Sequence, residues 1–437
     1  MSMCIVLITG KIGAIIAVYL KLPPIIGFLL VGLGIQNILN PMFLKGAGFP
    51  FPSPASEIKL IALVIVLMRA GLAIKFDEIA ANSLATFLLC TLPYIAEFFA
   101  FMYVGKTFFT TWSTITMGLF ASIMAPLGPS VVISGLLNLM ASPKRDPGFT
   151  GKMILISTPI EAVLAIVLFG IFSNLEQTGV KNSLYPWVTG LPLLENCLLI
   201  PANLLFSTVM GVMVGYVASK YIDWRSHQKT DFICTADLVY VLLVLCYTMM
   251  SLCTNRYIQQ SSGVLVVFVA SITVSKMANP EIIADIAMGL KGIWVFAEIF
   301  LFTLTGTSLS FNSENGPLYG QRGLSSALMS DVVAILFAGT ACRLFALGVC
   351  MLLLYSYLPP HRQRWQWLVP FWINCYIFQL PKATVQATLG SVAYYQKIIP
   401  GPEGLNQGLV IAQATAFAVL IFAPLGALLT NYVGSPI

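Results

Sequence analysis

Gln379-Leu380-Pro381-Lys382-Ala383-Thr384 falls inside an apolar run over 364–396, and Ala125-Pro126-Leu127-Gly128-Pro129-Ser130 falls at the middle of another over 112–140. Proline removes a backbone donor and clashes with the preceding turn. Each run is therefore expected to break into two half-helices near the bilayer midplane. A single interruption would be an ordinary proline kink, common in membrane helices. Here each broken run has one helix before it and one after it, 83–105 and 150–173 in the first case, 328–354 and 407–433 in the second. Counted along the chain, the two triplets enter the membrane from opposite sides. Interrupted helices in two inverted halves mark the binding site of a secondary transporter.

The composition outside these stretches fits a membrane. Of 437 residues, 58% are apolar and 9% charged, and the mean hydropathy is +0.88, whereas a soluble domain carries about 25% charge. A span needs about 20 apolar residues. The expected helices are 1–20, 24–40, 57–76, 83–105, 112–140, 150–173, 195–220, 234–253, 262–276, 281–311, 328–354, 364–396 and 407–433. Runs such as Ile61–Met68 and Val241–Cys246 are continuous, unlike the alternating segments of a β-barrel, and lipid offers an open backbone no partner. The fold class that follows is all-α: a polytopic membrane protein of about 13 transmembrane helices with inverted repeats and two crossing broken helices. The first stretch is read as a true helix and not a leader, because Lys11 interrupts it and no small-residue cleavage site follows.

The net charge of +6 sits mainly in loops, which suits a membrane and not nucleic acid. Lys21, Lys75, Lys144, Arg145, Lys152, Lys220, Arg225, Lys229, Lys276, Arg362 and Arg364 follow odd-numbered expected helices. Fewer basic residues follow even-numbered ones: Lys45, Lys59, Lys106, Lys181, Arg256, Arg322 and Lys397. By the positive-inside rule the N-terminus is outside and the C-terminus cytoplasmic. Nine cysteines without CxxC spacing read as small apolar packers, and both histidines, His227 and His361, fall in loops. No nucleophile–base pair, metal motif or phosphate loop suggests an enzyme, and no cofactor is implied.

An ionisable group at mid-bilayer costs at least about 2.5–3.5 kcal/mol, so it is rarely idle. Glu161, in Ser157-Thr158-Pro159-Ile160-Glu161-Ala162, directly follows the first broken run. Its carboxylate can bind a small cation when ionised and a proton when neutral; the bland reading is a structural glutamate bonded to a neighbouring helix. Gly128, Pro129 and Ser130 offer free carbonyls and a hydroxyl at the break, and Thr158 a hydroxyl, to complete an oxygen cage for a transient Na⁺ or Li⁺. Glu97 and Arg343 lie in matching helices of the two triplets and read as a buried structural ion pair, since neither could stand alone there without large cost. Lys382 offsets the negative C-terminal ends of half-helices at the second break, or snorkels to the interface. Asp237 and Lys291 fall near helix ends and read as interfacial. Arg69 and Glu298 are deeper and read as helix contacts.

The chain resembles the monovalent cation/proton antiporter superfamily, and within it the NHA-type sodium/hydrogen exchangers. The resembling stretches are Leu22-Pro23-Pro24-Ile25-Ile26-Gly27-Phe28-Leu29-Leu30-Val31-Gly32, Met68-Arg69-Ala70-Gly71-Leu72, Pro129-Ser130-Val131-Val132, and above all Leu380-Pro381-Lys382-Ala383-Thr384-Val385-Gln386-Ala387 with Gly390-Ser391-Val392-Ala393. The resemblance implies a homodimer in the lipid bilayer that exchanges Na⁺ or Li⁺ for H⁺ without a cofactor. It implies a core ion-transport domain (83–173 and 328–437) moving against a dimerisation panel (1–79 and 221–320), with 195–220 as linker helix. Glu97 and Arg343 fall where members have a buried acidic–basic pair. One departure stands out. The family carries Asp-Asp or Asn-Asp after the first break, where this chain has Glu161-Ala162 without gaps, or Ile160-Glu161 with a one-residue shift.

Three functions compete. The leading expectation is a Na⁺(Li⁺)/H⁺ antiporter with Glu161 as the shared carrier. A degenerate paralogue that dimerises or regulates without exchanging ions is the second, supported by the altered acid pair. The third is a transporter of organic anions, against which no arginine pair is placed for a carboxylate substrate.

Overall fold

The computed structural model describes residues 2–20, 22–39, 52–72, 83–140, 148–178, 192–226, 232–254, 263–310, 326–355, 365–395, 397–400 and 404–433. Among them every regular element is a helix. In chain order these are α1 (Ser2–Tyr19), α2 (Pro24–Gly34, running on through a π-helical turn, Ile35–Leu39), α3 (Pro52–Leu72), α4 (Ser83–Phe108), α5 (Thr114–Met124), α6 (Pro129–Met140), α7 (Gly148–Thr178), α8 (Pro192–Ser226), α9 (Phe232–Thr254), α10 (Gly263–Met277), α11 (Pro280–Gly306), α12 (Ser326–Leu354), α13 (Trp365–Phe378), α14 (Thr384–Tyr395) and α15 (Gly404–Val433). Seven described helices are long and apolar enough to cross a membrane, and shorter apolar helices accompany them. The expected helices recur within a few residues of their expected ends. Both interrupted runs break where their prolines stand, between Met124 and Pro129 and between Phe378 and Thr384. The basic loop residues Lys21, Lys45, Lys75, Lys144, Arg145, Lys181, Lys229, Arg256, Arg322, Arg362 and Arg364, and both histidines, lie outside the described residues.

The chain forms two compact units. One comprises 57–75 and 166–298. In it α10 packs against α8 and α9, Arg69 stacks over the Trp294 ring at 5.4 Å, and Arg225 pairs with Asp237 at 3.2 Å. Lys291 is exposed well inside α11, further from a helix end than the sequence suggests.

The other unit comprises 1–56, 76–165 and 299–437 and holds both triplets, α4 to the start of α7 and α12 to α15. α4 packs along α12, and α14 along α15. Leu89, Val132, Leu136, Met153, Ile154, Leu347 and Phe378, with Cys350 and Cys375, form one buried apolar cluster that ties the two triplets together. The broken helices meet backbone to backbone: Gly128 N–H donates to Pro381 O at 2.8 Å. A Cβ on Gly128 would lie 2.5 Å from Ala383 N, and one on Gly426 2.3 Å from Pro381 Cγ. The missing side chains let the crossing close.

Candidate functional site

A helix break buried in an apolar unit leaves orphan carbonyls on one side and orphan N–H groups on the other, and water is not there to satisfy them. At the first break the carbonyl end is covered by side chains from the second triplet. Ala125 O accepts from Arg343 Nη2 at 2.9 Å and from Lys382 Nζ at 3.0 Å. Pro126 O accepts from Gln386 Nε2 at 2.6 Å. The N–H end takes an anion: Leu127 N–H donates to Glu161 Oε1 at 3.2 Å. Gly128 O closes the first turn of α6, accepting from Val131 and Val132 N–H. Cations thus sit on the negative end and an acid on the positive end, the arrangement that helix dipoles favour.

The four charges form one network. Arg343, from α12, donates through Nε to Glu97 Oε2. Its Nη1 donates to Glu161 Oε2 at 3.3 Å and to Gln379 Oε1 at 3.0 Å, and its Nη2 to Glu161 Oε1 at 2.7 Å. Together with Ala125 O, these acceptors engage all five guanidinium N–H groups. Lys382 completes the set, with Nζ 2.8 Å from Glu97 Oε1 and 5.5 Å from the Phe101 ring centroid. Glu97 is 0% exposed and the other three are 1% exposed. At that depth no solvent screens them, and two acids against two bases leave the cluster neutral.

Glu97, Glu161, Arg343, Lys382 and Gly128, all singled out from sequence, therefore meet at one crossing. Thr158 is buried on α7, and its hydroxyl donates to Ile154 O at 2.6 Å. Pro129 is buried at the start of α6, and the side chain of Ser130 lies outside those described. Arg343 holds Glu161 as well as Glu97, and Lys382 holds Glu97. Whichever alignment applies to Glu161-Ala162, the glutamate is the group that reaches the break.

Two residues of the site were not foreseen as such. Gln379 and Gln386 stand in the quoted stretches as buried carboxamides beside a break, and a polar side chain inside an apolar run was the available signal. Gln379 has a further reason to be there. Pro93 in α4 has no N–H to give the carbonyl of Leu89, four residues earlier, and Gln379 Nε2 donates to that carbonyl at 3.3 Å.

Comparison with known proteins agrees with this architecture. The profile of the family described as sodium/hydrogen exchanger, transmembrane, matches residues 4–430. The chain is 23% identical over 433 residues to human sodium/hydrogen exchanger 9B1, covering 98% of this chain and 75% of that protein. It is 23% identical over 431 residues to mouse sodium/hydrogen exchanger 9B2, covering 94% and 68%. Its fold is that of the sodium proton antiporter MjNhaP1 from Methanocaldococcus jannaschii at pH 8, with a TM-score of 0.71 over 99% of this chain and 96% of that one at 14% identity. A buried, charge-balanced crossing of two broken helices, in a chain that the profile covers almost end to end, places this protein in the transmembrane sodium/hydrogen exchanger family.

Proposed function

We propose that this sodium/hydrogen exchanger-type membrane protein exchanges Na⁺ or Li⁺ for H⁺, with Glu161 as the shared carrier of ion and proton. The observation that carries the reading is the placement of the Glu161 carboxylate: it reaches the first helix break, receives the Leu127 N–H, and belongs to a cluster whose charges cancel. Either a proton or a monovalent cation on Glu161 adds one positive charge. Both loaded forms then carry the same charge, and exchange is one for one and electroneutral. Glu97 and Arg343 brace the two halves of the site, and Lys382 offsets the carbonyl end of the first break, from a place on the second. The Pro129 carbonyl, the Thr158 hydroxyl, which donates to Ile154 O and can still accept a cation, and Gly128 O, which already closes the first turn of α6, supply further oxygen ligands.

In this reading a core of 83–173 and 328–437 moves against a panel of 1–79 and 221–320, joined by 195–220, in a homodimer whose N-terminus is outside and whose C-terminus is cytoplasmic. The alternative is a paralogue that keeps the fold without exchanging ions. What favours it is that Glu161 is already neutralised by Arg343, at 2.7 Å.

Purified protein in proteoliposomes decides between them. Na⁺ or Li⁺ added outside is expected to dissipate an imposed pH gradient, and Glu161→Gln to abolish that flux while leaving the fold intact. Exchange by Glu161→Gln at the wild-type rate would remove Glu161 from the mechanism. Silence of folded wild-type protein across neutral and mildly alkaline pH would establish the non-transporting reading.

A further inference from the structure

The Arg343 guanidinium lies across both Glu161 oxygens, at 3.3 and 2.7 Å. Any cation that binds Glu161 must first displace this group. Arginine cannot lose its proton to get out of the way, so it has to move while still charged. Three acceptors would keep it if it released Glu161: Glu97 at Nε, Gln379 Oε1 at Nη1 and Ala125 O at Nη2. Glu97 is shared with Lys382, and so is Ala125 O. Gln379 shares its oxygen with no other donor among the described side chains. Its Nε2 is committed to Leu89 O at 3.3 Å, which fixes the carboxamide with its oxygen toward Arg343.

We propose that Arg343 is a tethered competitor for the transported cation and that Gln379 is the positioning residue that receives it, so that this pair sets the apparent cation affinity of the site. The proposal rests on Glu161 being the ion carrier. Its energetic core is an imbalance. With Glu161 held by Arg343, the guanidinium has five acceptor atoms, three of them on two carboxylates. With Glu161 occupied by a cation it has three acceptor atoms, only one of them a carboxylate oxygen, so the Gln379 bond strengthens and makes up a larger part of what holds it. Removing that bond disfavours the loaded state more than the empty one. Shortening the side chain at 343 does the reverse. A lysine ammonium would sit about where the guanidinium carbon sits, close to Glu97 but short of the two terminal nitrogens that clasp Glu161.

The test is equilibrium binding of radioactive Na⁺ to the purified full chain, read beside exchange in proteoliposomes. Gln379→Leu is expected to weaken Na⁺ binding about threefold, a part of one charge-assisted hydrogen bond, because the bond is present in both states and only strengthens in the loaded one. Arg343→Lys, which keeps the charge, is expected to tighten it about tenfold. The maximal exchange rate should change less than the half-saturating Na⁺ concentration. A purely structural pair would lower the melting temperature in both variants without moving affinity in opposite directions. Unchanged affinity, or shifts of the same sign, in variants whose wild-type parent binds Na⁺ through Glu161 overturns this proposal and leaves the carrier reading standing. Wild-type Na⁺ binding that survives Glu161→Gln, or an absence of saturable binding in all variants, overturns both.

Discussion

Glu97 joins the two cations of the site, since Lys382 lies on one of its oxygens and Arg343 on the other. Replacing one partner of a buried ion pair leaves a charge stranded in low dielectric and costs about 3–5 kcal/mol. Glu97→Gln should therefore lower the melting temperature of the purified protein sharply. Adding Lys382→Met to it restores equal numbers of acids and bases, so the double variant should be more stable than the sum of the two single losses predicts. Simple additivity would mean that Glu97 and Lys382 are not energetically coupled. Gly128 makes a second prediction at this scale. Gly128→Ala places a methyl 2.5 Å from a backbone nitrogen that cannot swing aside, so folded yield should fall. Gly292→Ala, with nothing within 4 Å of the new carbon, should be tolerated. The sequence announced which residues matter here better than which residue each one touches. Glu97 and Arg343 could be paired because they occupy matching helices; Glu161 lies in the helix after the first break and has no such match to Arg343. Which acid a guanidinium clasps depends on side-chain direction and the depth of the helices, and no spacing rule encodes either.

At the level of elements, continuous apolar runs and proline gave the helices nearly to their ends, because lipid leaves the backbone no other structure. The π-helical turn at Ile35–Leu39 is not marked by its own residues; Gly32 and Gly34 stand just before it, but glycine alone does not distinguish a π-turn from a continuing helix. The consequence of Pro93 was also hidden. Read alone it is a kink in α4; in the folded chain it frees Leu89 O for Gln379 on the other triplet. Proline inside a helix costs up to about 3 kcal/mol relative to alanine. Pro93→Ala should raise the melting temperature while weakening Na⁺ binding in the same direction as Gln379→Leu, because the restored N–H competes for the Leu89 carbonyl and loosens the carboxamide. A melting temperature that rises with Na⁺ affinity unchanged would show that Leu89 does not hold Gln379 in place.

For the whole molecule, the class followed from composition, and the family resemblance carried by stretches such as Leu380-Pro381-Lys382-Ala383-Thr384 agrees with the profile match over residues 4–430. Orientation rests on different physics, the excess of Lys and Arg beside one set of helix ends. It can be checked independently of ion flux. Cys4 is exposed at the start of α1, on the side expected to be outside, and Ser226 closes α8 on the side expected to be cytoplasmic. In intact cells, a membrane-impermeant maleimide should label a variant whose sole cysteine is Cys4. It should spare a cysteine-free variant carrying Ser226→Cys until the membrane is permeabilised. The opposite pattern would invert the topology. Labelling of both sites from outside would require an odd number of crossings fewer or more between α1 and α8, which would contradict the helix count on which the opposite entry of the two triplets depends.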